Sequence, residues 1–426
     1  MPVVHELSPL SPESRTPLLR NCRYFLDRAA ELLKLDSLLR TSLANAACCV
    51  ELTFPVRTDG GRVRHFTGCR VRHTSAYDLT FGGLRMAPTV SVEQSAARAM
   101  LQSWSNALLK LPFGGSAGGI ACDPHRLDGD DRLRLVRGFA RAWRSLTSSE
   151  RDLVAPDAGT DAQAMAWWLD EIRGCGMTDP NVAVVGLPPT LGGCELFEEA
   201  GGRGVVCVLR RFLATQHRDL ADMRIAVQGF GHVGFHAARL LARLGATVVS
   251  LSRSDSAAFD EDGIDVDAAH AYSSESGTLV GLPGADELSP EEAMACECDV
   301  LIAAATEGTL NEAIAPHVKA RVVMEAAFGA TTPGAEEVLR DNGATVLPDV
   351  LSAAGSAVAG HLEWSQAHAH SPIDRQQAEK LLQLRMENAF DAVNARADEM
   401  DCDYRTAAYT LALSRVADAM RLRSQV

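Results

Sequence analysis

A glycine-rich hexapeptide offers the clearest chemistry in the sequence. Gly229-Phe230-Gly231-His232-Val233-Gly234 follows a strand-like run over residues 224–228 and precedes an apolar pattern that predicts a helix over residues 235–244. In this context Gly229 would allow a tight turn, Gly231 would let a pyrophosphate approach the backbone, and Gly234 would let the helix pack closely. The helix N-terminus would add N–H donors and partial positive charge. The motif predicts a site for NAD or NADP; the alternative is a turn that binds nothing.

The residues after the next strand-like run bear on the choice of dinucleotide. NAD-binding folds place an acid about 20 residues after the glycine motif, where it binds the ribose hydroxyls. This sequence has Ser252-Arg253-Ser254 there instead. Arg253 could bind a 2′-phosphate, which favours NADP, or it could be an exposed arginine with Asp255 nearby.

Strand-like runs follow the motif at regular intervals. They cover residues 247–251, 300–304, 321–325 and 345–347, with helical or turn-rich stretches between them. This alternation is typical of parallel strands joined by helices. It predicts a doubly wound Rossmann domain over residues 196–365, which would position the glycine motif and Arg253.

The residues before the motif predict a separate α/β domain. Apolar residues recur at helical spacing over residues 18–43, a strand-like run covers 49–56, and a long helix is predicted over 91–111, where Pro112 stops it. A helical pattern over residues 376–423 follows the second domain. We expect the first domain to cover residues 1–195, completed by C-terminal helices from about 366 to 426.

Composition and charge exclude several classes of protein. The 426 residues are 46% apolar and 23% charged, as in globular proteins, and the net charge of −14 would repel phosphate backbones and anionic lipids. No nucleic-acid or membrane partner is therefore expected. Residues 1–20 lack the apolar core of a signal peptide, and no run reaches the roughly 18 apolar residues of a membrane span, which predicts a cytoplasmic location. None of the 11 cysteines has C-x-x-C spacing, so free thiols and no metal site are expected.

A series of short blocks resembles one known family. Their order and spacing, over about residues 65–366, are similar to those of the glutamate/leucine/phenylalanine/valine dehydrogenase family. The blocks cover residues 68–73, 82–85, 111–115, 155–160, 202–205, 331–333, 348–349 and 363–364. The resemblance implies an α/β substrate and oligomerisation domain followed by a Rossmann domain that binds NAD or NADP, in a protein that forms hexamers.

The resemblance also implies a chemistry that depends on lysines. Family members deaminate an amino acid oxidatively and pass a hydride to NAD or NADP. One lysine activates water and stabilises developing charge, a second binds the α-carboxylate, and in glutamate-specific members a third binds the side-chain carboxylate. This sequence has Ala117, Ser105 and Phe81 at these three positions. If these lysines had been lost only because lysine is rare in this sequence, arginine would be expected in their place and would keep the positive charge. Alanine, serine and phenylalanine do not keep it.

At other positions that match functional residues of the family, this sequence keeps some of the family's residues and replaces others. Asp157 matches the family's proton donor and acceptor; alternatively, it braces the turn after Pro156. Gly360 stands where the family has a hydroxyl residue in the substrate site. Phe328, Gly308 and Ala353 stand where it has asparagine near the cofactor.

Three functional hypotheses follow from this pattern. The leading one is a catalytically silent homologue that acts as a regulatory or structural subunit, as a homo-oligomer or together with an active homologue. The second is an active or repurposed NAD(P)-dependent dehydrogenase for a less polar substrate, in which Phe81 and Gly360 line a roomier apolar pocket. The third is a module that closes on an amino acid or a nucleotide as a sensor.

Overall fold

The computed structural model describes residues 3–5, 16–58, 61–144, 151–173 and 183–424. Its contacts divide the chain into two compact units. Unit 1 contains Met1–Glu198, Ala357–Glu379 and Ala412–Val426, and unit 2 contains Glu199–Ser356 and Lys380–Leu411. Both units combine helices with a β-sheet, as the α/β prediction requires.

Unit 1 is built on a six-stranded mixed sheet. The strands are β1 (Val3–His5), β2 (Cys48–Arg57), β3 (Val63–Arg72), β4 (Thr80–Ala87), β5 (Gly114–Ala121) and β6 (Asp152–Pro156). Their spatial order is β1-β2-β3-β5-β4-β6, and β4 runs parallel to both β5 and β6. The carboxyl ends of β4 and β6 therefore meet at one edge of the sheet.

Helices cover both faces of this sheet. Successive side chains of a strand point to opposite faces, so apolar side chains on either face must be packed against a helix. The helices of unit 1 include α1 (Pro17–Leu32), α2 (Ser37–Ala44), α3 (Val92–Leu108), α4 (Gly129–Arg144) and α5 (Ala162–Arg173). On one face Phe139 of α4 and Trp168 of α5 form a buried core with Ile120. On the other face Ala117, three residues before Ile120, packs against Ala96 and Ala99 of α3.

Unit 2 is built on a seven-stranded sheet. The strands are β7 (Arg224–Gln228), β8 (Thr247–Ser252), β9 (Ala257–Phe259), β10 (Asp286–Leu288), β11 (Val300–Ala303), β12 (Val322–Glu325) and β13 (Thr345–Leu347). Their order is β10-β9-β8-β7-β11-β12-β13, in which β8, β7, β11, β12 and β13 are parallel. This parallel core confirms the predicted doubly wound Rossmann fold.

Helices connect these strands and form the C-terminal part of the chain. They are α6 (Phe197–Thr215), α7 (His232–Arg243), α8 (Val266–Ser276), α9 (Pro290–Met294), α10 (Pro333–Asp341), α11 (Asp349–Ser352), α12 (Gly355–Ala369), α13 (Arg375–Met400) and α14 (Tyr404–Leu422). Within the described ranges, none of the helices is long and apolar enough to cross a membrane.

The C-terminal helices are divided between the units, whereas we expected all of residues 366–426 to complete the first domain. Residues 380–411 group with unit 2 because α13 packs against α6: the rings of Phe390 and Phe212 meet edge to face at 6.3 Å. The proposed boundary between residues 195 and 196 lies close to the start of unit 2 at Glu199.

Candidate functional site

Asp157 lies at the edge of the unit 1 sheet, beside an arginine from the neighbouring strand. Leu84 of β4 pairs with Pro156 of β6, so the next residues, Arg85 and Asp157, lie side by side. The Arg85 guanidinium donates from Nη2 to Asp157 Oδ1 at 2.9 Å and from Nε to Oδ2 at 3.3 Å. This pair is only partly exposed, with 18% of the arginine side chain and 27% of the aspartate side chain accessible.

The surroundings of Asp157 hold it in the charged form. Burial alone would raise the pKa of this carboxyl, but the charges of Arg85 and Arg98 and hydrogen bonds from Arg85 and the Ala158 N–H lower the pKa to about 2. The folded protein therefore keeps Asp157 ionised at neutral pH. An ionised carboxylate can accept a proton or a hydrogen bond, but it has no proton to donate at neutral pH.

A second arginine–aspartate pair fixes the strand that carries Phe81 and Arg85. Arg70 of β3 and Asp152 of β6 are fully buried, and Arg70 Nε donates to Asp152 Oδ2 at 2.7 Å. Arg70 also donates to the carbonyl oxygens of Gly82 and Gly83 in β4, at 2.9 and 2.5 Å. Burial opposes ionisation of Asp152, but the charge and hydrogen bonds of Arg70 lower its pKa. The pair thus ties β3, β4 and β6 together beneath the candidate site.

Ala117, which was predicted to match the family's catalytic lysine, lies in an apolar cluster. It is 4% exposed and packs with small and branched side chains of β3 and α3, which are Cys69, Val71, Val92, Ala96 and Ala99. Ala117 is on β5 and Asp157 directly follows β6, and β4 lies between these two strands. Two strand spacings correspond to about 10 Å, so a long side chain at position 117 would be needed to reach the carboxylate.

Ser105 is on the buried side of α3, and this helix is held directly against β5. A side chain on Gly115 of β5 would lie 2.0 Å from the Ala99 carbonyl oxygen, so glycine is needed for this approach. Ser103 Oγ accepts from the Gly115 N–H at 2.8 Å and fixes the contact. Ser105 is fully buried, and its Oγ has no hydrogen-bond partner among the described residues. An unsatisfied hydroxyl is unfavourable, and it cannot supply the charge that binds a carboxylate.

Phe81 fills the space beside Gly360. It is 3% exposed, and its ring stacks on Phe113 with centroids 6.0 Å apart. Phe113 in turn meets Trp364 edge to face at 5.3 Å. A Cβ on Gly360 would lie 2.6 Å from Phe81 Cε2. The residues at positions 81 and 360 are therefore complementary in packing, and Phe81 belongs to an aromatic cluster with Phe113 and Trp364.

This packing predicts that Gly360→Ser destabilises unit 1 by about 1–3 kcal/mol, the usual cost of inserting atoms into a packed core. Phe81→Ala removes the ring that the new serine side chain would meet. The double variant should therefore lose less free energy of unfolding than the sum of the losses in the two single variants. All five tryptophans are in unit 1, so tryptophan fluorescence during urea unfolding reports on this unit.

Gly129→Ser is the matched control for this experiment. Gly129 begins α4, and a Cβ there would meet no described atom within 4 Å. The free energy of unfolding of the control should stay within about 0.5 kcal/mol of that of the parent. Equal losses from both serine variants, or strict additivity with Phe81→Ala, would disprove the close packing of positions 81 and 360.

The glycine motif of unit 2 forms a turn between β7 and α7. Gly229 has a φ of 92°. It lies so close to the segment after β11 that a Cβ at this position would be 2.5 Å from the backbone nitrogen of Ala305. A Cβ on Gly234 would lie 2.1 Å from the Gly229 carbonyl oxygen, so α7 packs tightly on the turn. Gly231 faces open space, with no described atom within 4 Å of such a Cβ, and it is the N-cap of α7 without a side-chain cap. These features fit the pyrophosphate of a dinucleotide.

Polar atoms near this turn also suit a ligand. The carbonyl oxygen of Ser252 at the end of β8 accepts from the N–H groups of Gly229 and Phe230. Gln228 Oε1 and Ser252 Oγ are buried and have no hydrogen-bond partner among the described residues. Arg253 follows directly and is partly exposed, and its N–H donates to the Ser256 carbonyl oxygen at 2.7 Å. The residues present therefore fit a dinucleotide, and the role of Arg253 remains a prediction.

Two arginines that act on Asp157 were not predicted from the sequence. Arg85 was part of a recognised block, and the register of two neighbouring parallel strands was the signal that could have paired it with Asp157. Arg98 carried no such signal, because it comes from α3 and reaches the carboxylate only through tertiary packing.

Two family models match the chain over most of its length. The one described as Glutamate/Leucine/Phenylalanine/Valine dehydrogenase covers residues 192–424. The one described as Glu/Leu/Phe/Val dehydrogenase, dimerisation domain, covers residues 47–174. The chain is also similar to the NADP-specific glutamate dehydrogenase of Saccharolobus shibatae, at 34% identity over 93% of this chain and 95% of that protein. It is 36% identical to the NAD-specific glutamate dehydrogenase A of Halobacterium salinarum, over 97% of this chain and 94% of that protein.

A solved structure agrees with these relatives. The hetero-hexameric glutamate dehydrogenase from Thermus thermophilus, in its Leu-bound form, matches with a TM-score of 0.92 and 35% identity. The match covers 97% of this chain and 98% of that chain.

Proposed function

Because this chain belongs to the glutamate/leucine/phenylalanine/valine dehydrogenase family, we propose that it is a catalytically silent member that acts as a regulatory or structural subunit. One observation carries the proposal. Positions 81, 105 and 117, which the resemblance matches to lysines of the family, are buried and uncharged in this chain. The side chains of alanine, serine and phenylalanine can neither activate water by proton transfer, as a lysine of lowered pKa does, nor bind a carboxylate through a positive charge.

The packing around these positions supports the proposal. Ala117 is enclosed by apolar side chains, and Phe81 occupies the space beside Gly360. The space that the lysines would need is therefore used for stabilising contacts. The rival hypothesis of an enzyme for a less polar substrate requires a roomier pocket at Phe81 and Gly360, and their close contact argues against it.

The electrostatics of Asp157 point the same way. Arg85 and Arg98 keep this carboxylate ionised, so it cannot donate a proton at neutral pH. In this chain Asp157 acts as a brace between β4 and β6 through its hydrogen bonds with Arg85. This role needs the charge of the aspartate but no reaction.

Assembly gives such a chain a function without catalysis. The similar glutamate dehydrogenase of T. thermophilus is hetero-hexameric, so an assembly in this family can contain more than one kind of chain. We propose that this chain assembles with a homologue that has all three lysines, or with itself. Assembly requires the fold and the surface, and both remain when the lysines are lost.

Co-expression tests the assembly directly. The chain is tagged and expressed with a lysine-complete homologue from the same organism, and the purified complex is analysed by native mass spectrometry. We expect mixed oligomers whose turnover per active chain differs from that of the homologue alone. Recovery of the two proteins only as separate oligomers, with unchanged turnover, would contradict the subunit role.

We propose that unit 2 retains a site for NADP or NAD, a cofactor that exchanges a hydride at its nicotinamide ring. Gly231→Ala should weaken dinucleotide binding about tenfold, because the new methyl group occupies the space that the pyrophosphate approaches. The fold should be unaffected, since the Cβ meets no described atom within 4 Å. Isothermal titration calorimetry measures the affinity, with Gly129→Ala as the control that changes neither binding nor stability. Unchanged affinity in Gly231→Ala would place the ligand elsewhere.

Arg253 is proposed to select NADP. Arg253→Ser removes the cation that would bind the 2′-phosphate, so the affinity for NADP should fall about tenfold while that for NAD stays within about twofold. The same titrations with both dinucleotides measure the two affinities. Equal losses for NAD and NADP would show that Arg253 does not contact the 2′-phosphate.

A further inference from the structure

A single arginine in unit 2 binds three carboxyl groups in the interior. Arg405, in the first turn of α14, donates to Glu325 Oε2 and to Glu336 Oε2, both at 2.5 Å. It also donates to Asp349 Oδ1 at 3.1 Å. Glu325 ends β12, Glu336 is on α10, and Asp349 begins α11. The four side chains are between 0% and 8% exposed, so water hardly reaches them.

The charges of this buried cluster do not balance if every group is ionised. Three carboxylates would place three negative charges against the one positive charge of Arg405. Other ionisable groups that interact with the cluster are Asp403, which acts on Glu336, Tyr409, which acts on Arg405, and Arg340, which is 47% exposed and lies 3.9 Å from Asp403. Like charges that share a buried site oppose each other's ionisation. At least one of the three carboxyl groups should therefore hold a proton.

Hydrogen bonds identify which carboxyl group this is. Besides the bond from Arg405, Glu325 and Asp349 each accept two bonds from backbone N–H groups at 2.7–2.9 Å. The donors are Thr331 and Asp349 for Glu325, and Gly329 and Val350 for Asp349. Within the described ranges, Glu336 accepts only the bond from Arg405. Since donated hydrogen bonds favour the charged form, Glu336 is the least stabilised of the three as an anion.

We propose that Glu336 binds a proton in the folded protein and releases it to solvent as the pH rises through the neutral range. The proton lies on Oε1, because Oε2 accepts from Arg405. Burial raises the pKa of Glu336 to about 7, with contributions from Glu325 and Asp403 and against the lowering effect of Arg405. Burial and Glu325 raise the pKa of Asp349 only to about 6, in the order that the hydrogen bonds imply. This proton site is independent of the proposed lack of catalysis.

The proton makes the stability of this part of unit 2 depend on pH. Glu336 has its usual pKa of 4.5 in the unfolded chain and a pKa of about 7 in the folded chain, so the folded state binds more protons between these values. The stability that the bound proton contributes is therefore present below the lower value and is lost as the pH rises to the higher one. The N–H groups that the cluster binds belong to the segment after β12 and to the start of α11, so these backbone segments should open more often when the proton is lost.

Glu336→Gln tests this dependence, since the amide resembles a protonated carboxyl in size, can accept from Arg405 and carries no charge. Hydrogen exchange of peptides that cover residues 322–352 reports on unit 2 alone. At about pH 5 the protection factors of the variant should lie within about twofold of those of the parent, and at about pH 8 they should be at least about tenfold higher. Glu337→Gln is the matched control, because Glu337 is the next residue of α10 and is exposed. It should follow the parent at both pH values.

Infrared spectroscopy detects the proton itself. At about pH 6 the parent should show the carbonyl stretching band of a protonated carboxyl, and this band should be lost by about pH 8 and in Glu336→Gln but kept in Glu337→Gln. Burial also raises the pKa of Glu363 in unit 1 to about 7, so Glu363→Gln identifies the band of that group.

The proposal is overturned if the parent and Glu336→Gln have the same carboxyl bands at the lower pH. Equal protection of the two proteins at the higher pH would overturn it as well. Loss of protection or failure to fold in Glu336→Gln at about pH 5, where the amide stands in for the protonated carboxyl, would show that the folded state needs Glu336 ionised.

Discussion

Asp152→Asn should destabilise unit 1 by about 3–5 kcal/mol, because it leaves the buried guanidinium of Arg70 without its countercharge. Both side chains are almost fully inaccessible, at 0% and 1%, so water cannot replace the lost partner. The amide keeps the size of the carboxyl and removes its charge, which isolates the electrostatic effect. Urea unfolding followed by tryptophan fluorescence measures the change, since all the tryptophans are in unit 1.

The control is an exposed pair of the same residue types in the same unit. Arg40 Nη2 lies 2.9 Å from Asp27 Oδ1, and the two side chains are 34% and 57% exposed. Asp27→Asn should therefore cost no more than about 1 kcal/mol. Similar losses from the two asparagine variants would show that the buried pair does not hold β3, β4 and β6 together as described.

The triple variant Phe81→Lys, Ser105→Lys and Ala117→Lys should gain weak glutamate-dependent reduction of NADP, at least about tenfold above the parent. It introduces all three charges that the resemblance implies, and burial should lower the pKa of a lysine at position 117 toward the range that proton transfer needs. Catalytic groups that act together are strongly non-additive, so each single lysine should give almost nothing. Phe328 and Ala353, which are predicted to stand in place of polar family residues, should keep the gain small.

A triple variant with methionine at the same positions is the matched control. Methionine is similar to lysine in length and lacks the charge, so it reproduces the steric load on the apolar cluster around Ala117. Both triple variants should be less stable than the parent because positions 81, 105 and 117 are buried. If the methionine variant gained as much turnover as the lysine variant, charge at these positions would not be the missing element.

The sequence predicted regular structure best where the signal was local. The strand at Arg224–Gln228 and the one at Thr345–Leu347 have the predicted bounds, because each is a short apolar run between clear breaks. The helix predicted over residues 18–43 is two helices, because the Asp36 side chain accepts from the Leu39 N–H and starts α2 anew. The helical tail is likewise interrupted at Asp401, whose φ is 47°. A side chain that caps a new first turn, or a residue in the left-handed region, divides a helix even where the apolar pattern continues.

The sequence proposes residues for the candidate site but does not predict their contacts. Matching blocks predict positions 81, 105, 117, 157 and 360, because such blocks fix residue numbers along the chain, and the roles of these positions stay predictions. The stacking of Phe81 on Phe113 and its approach to Gly360 depend on segments that are far apart in sequence. The charge of Arg98 acts on Asp157 across a similar separation. Patterns of residue type do not encode such tertiary distances.

The most direct test of the silent-member account is the turnover of the unmodified chain. The purified protein is assayed for amino-acid-dependent reduction of both NAD and NADP, with glutamate, leucine, phenylalanine and valine, and with a lysine-complete homologue measured in parallel. The account predicts no reduction above the rate without amino acid, at every pH at which the fold is intact. Turnover comparable to that of the homologue with any of these amino acids would contradict it.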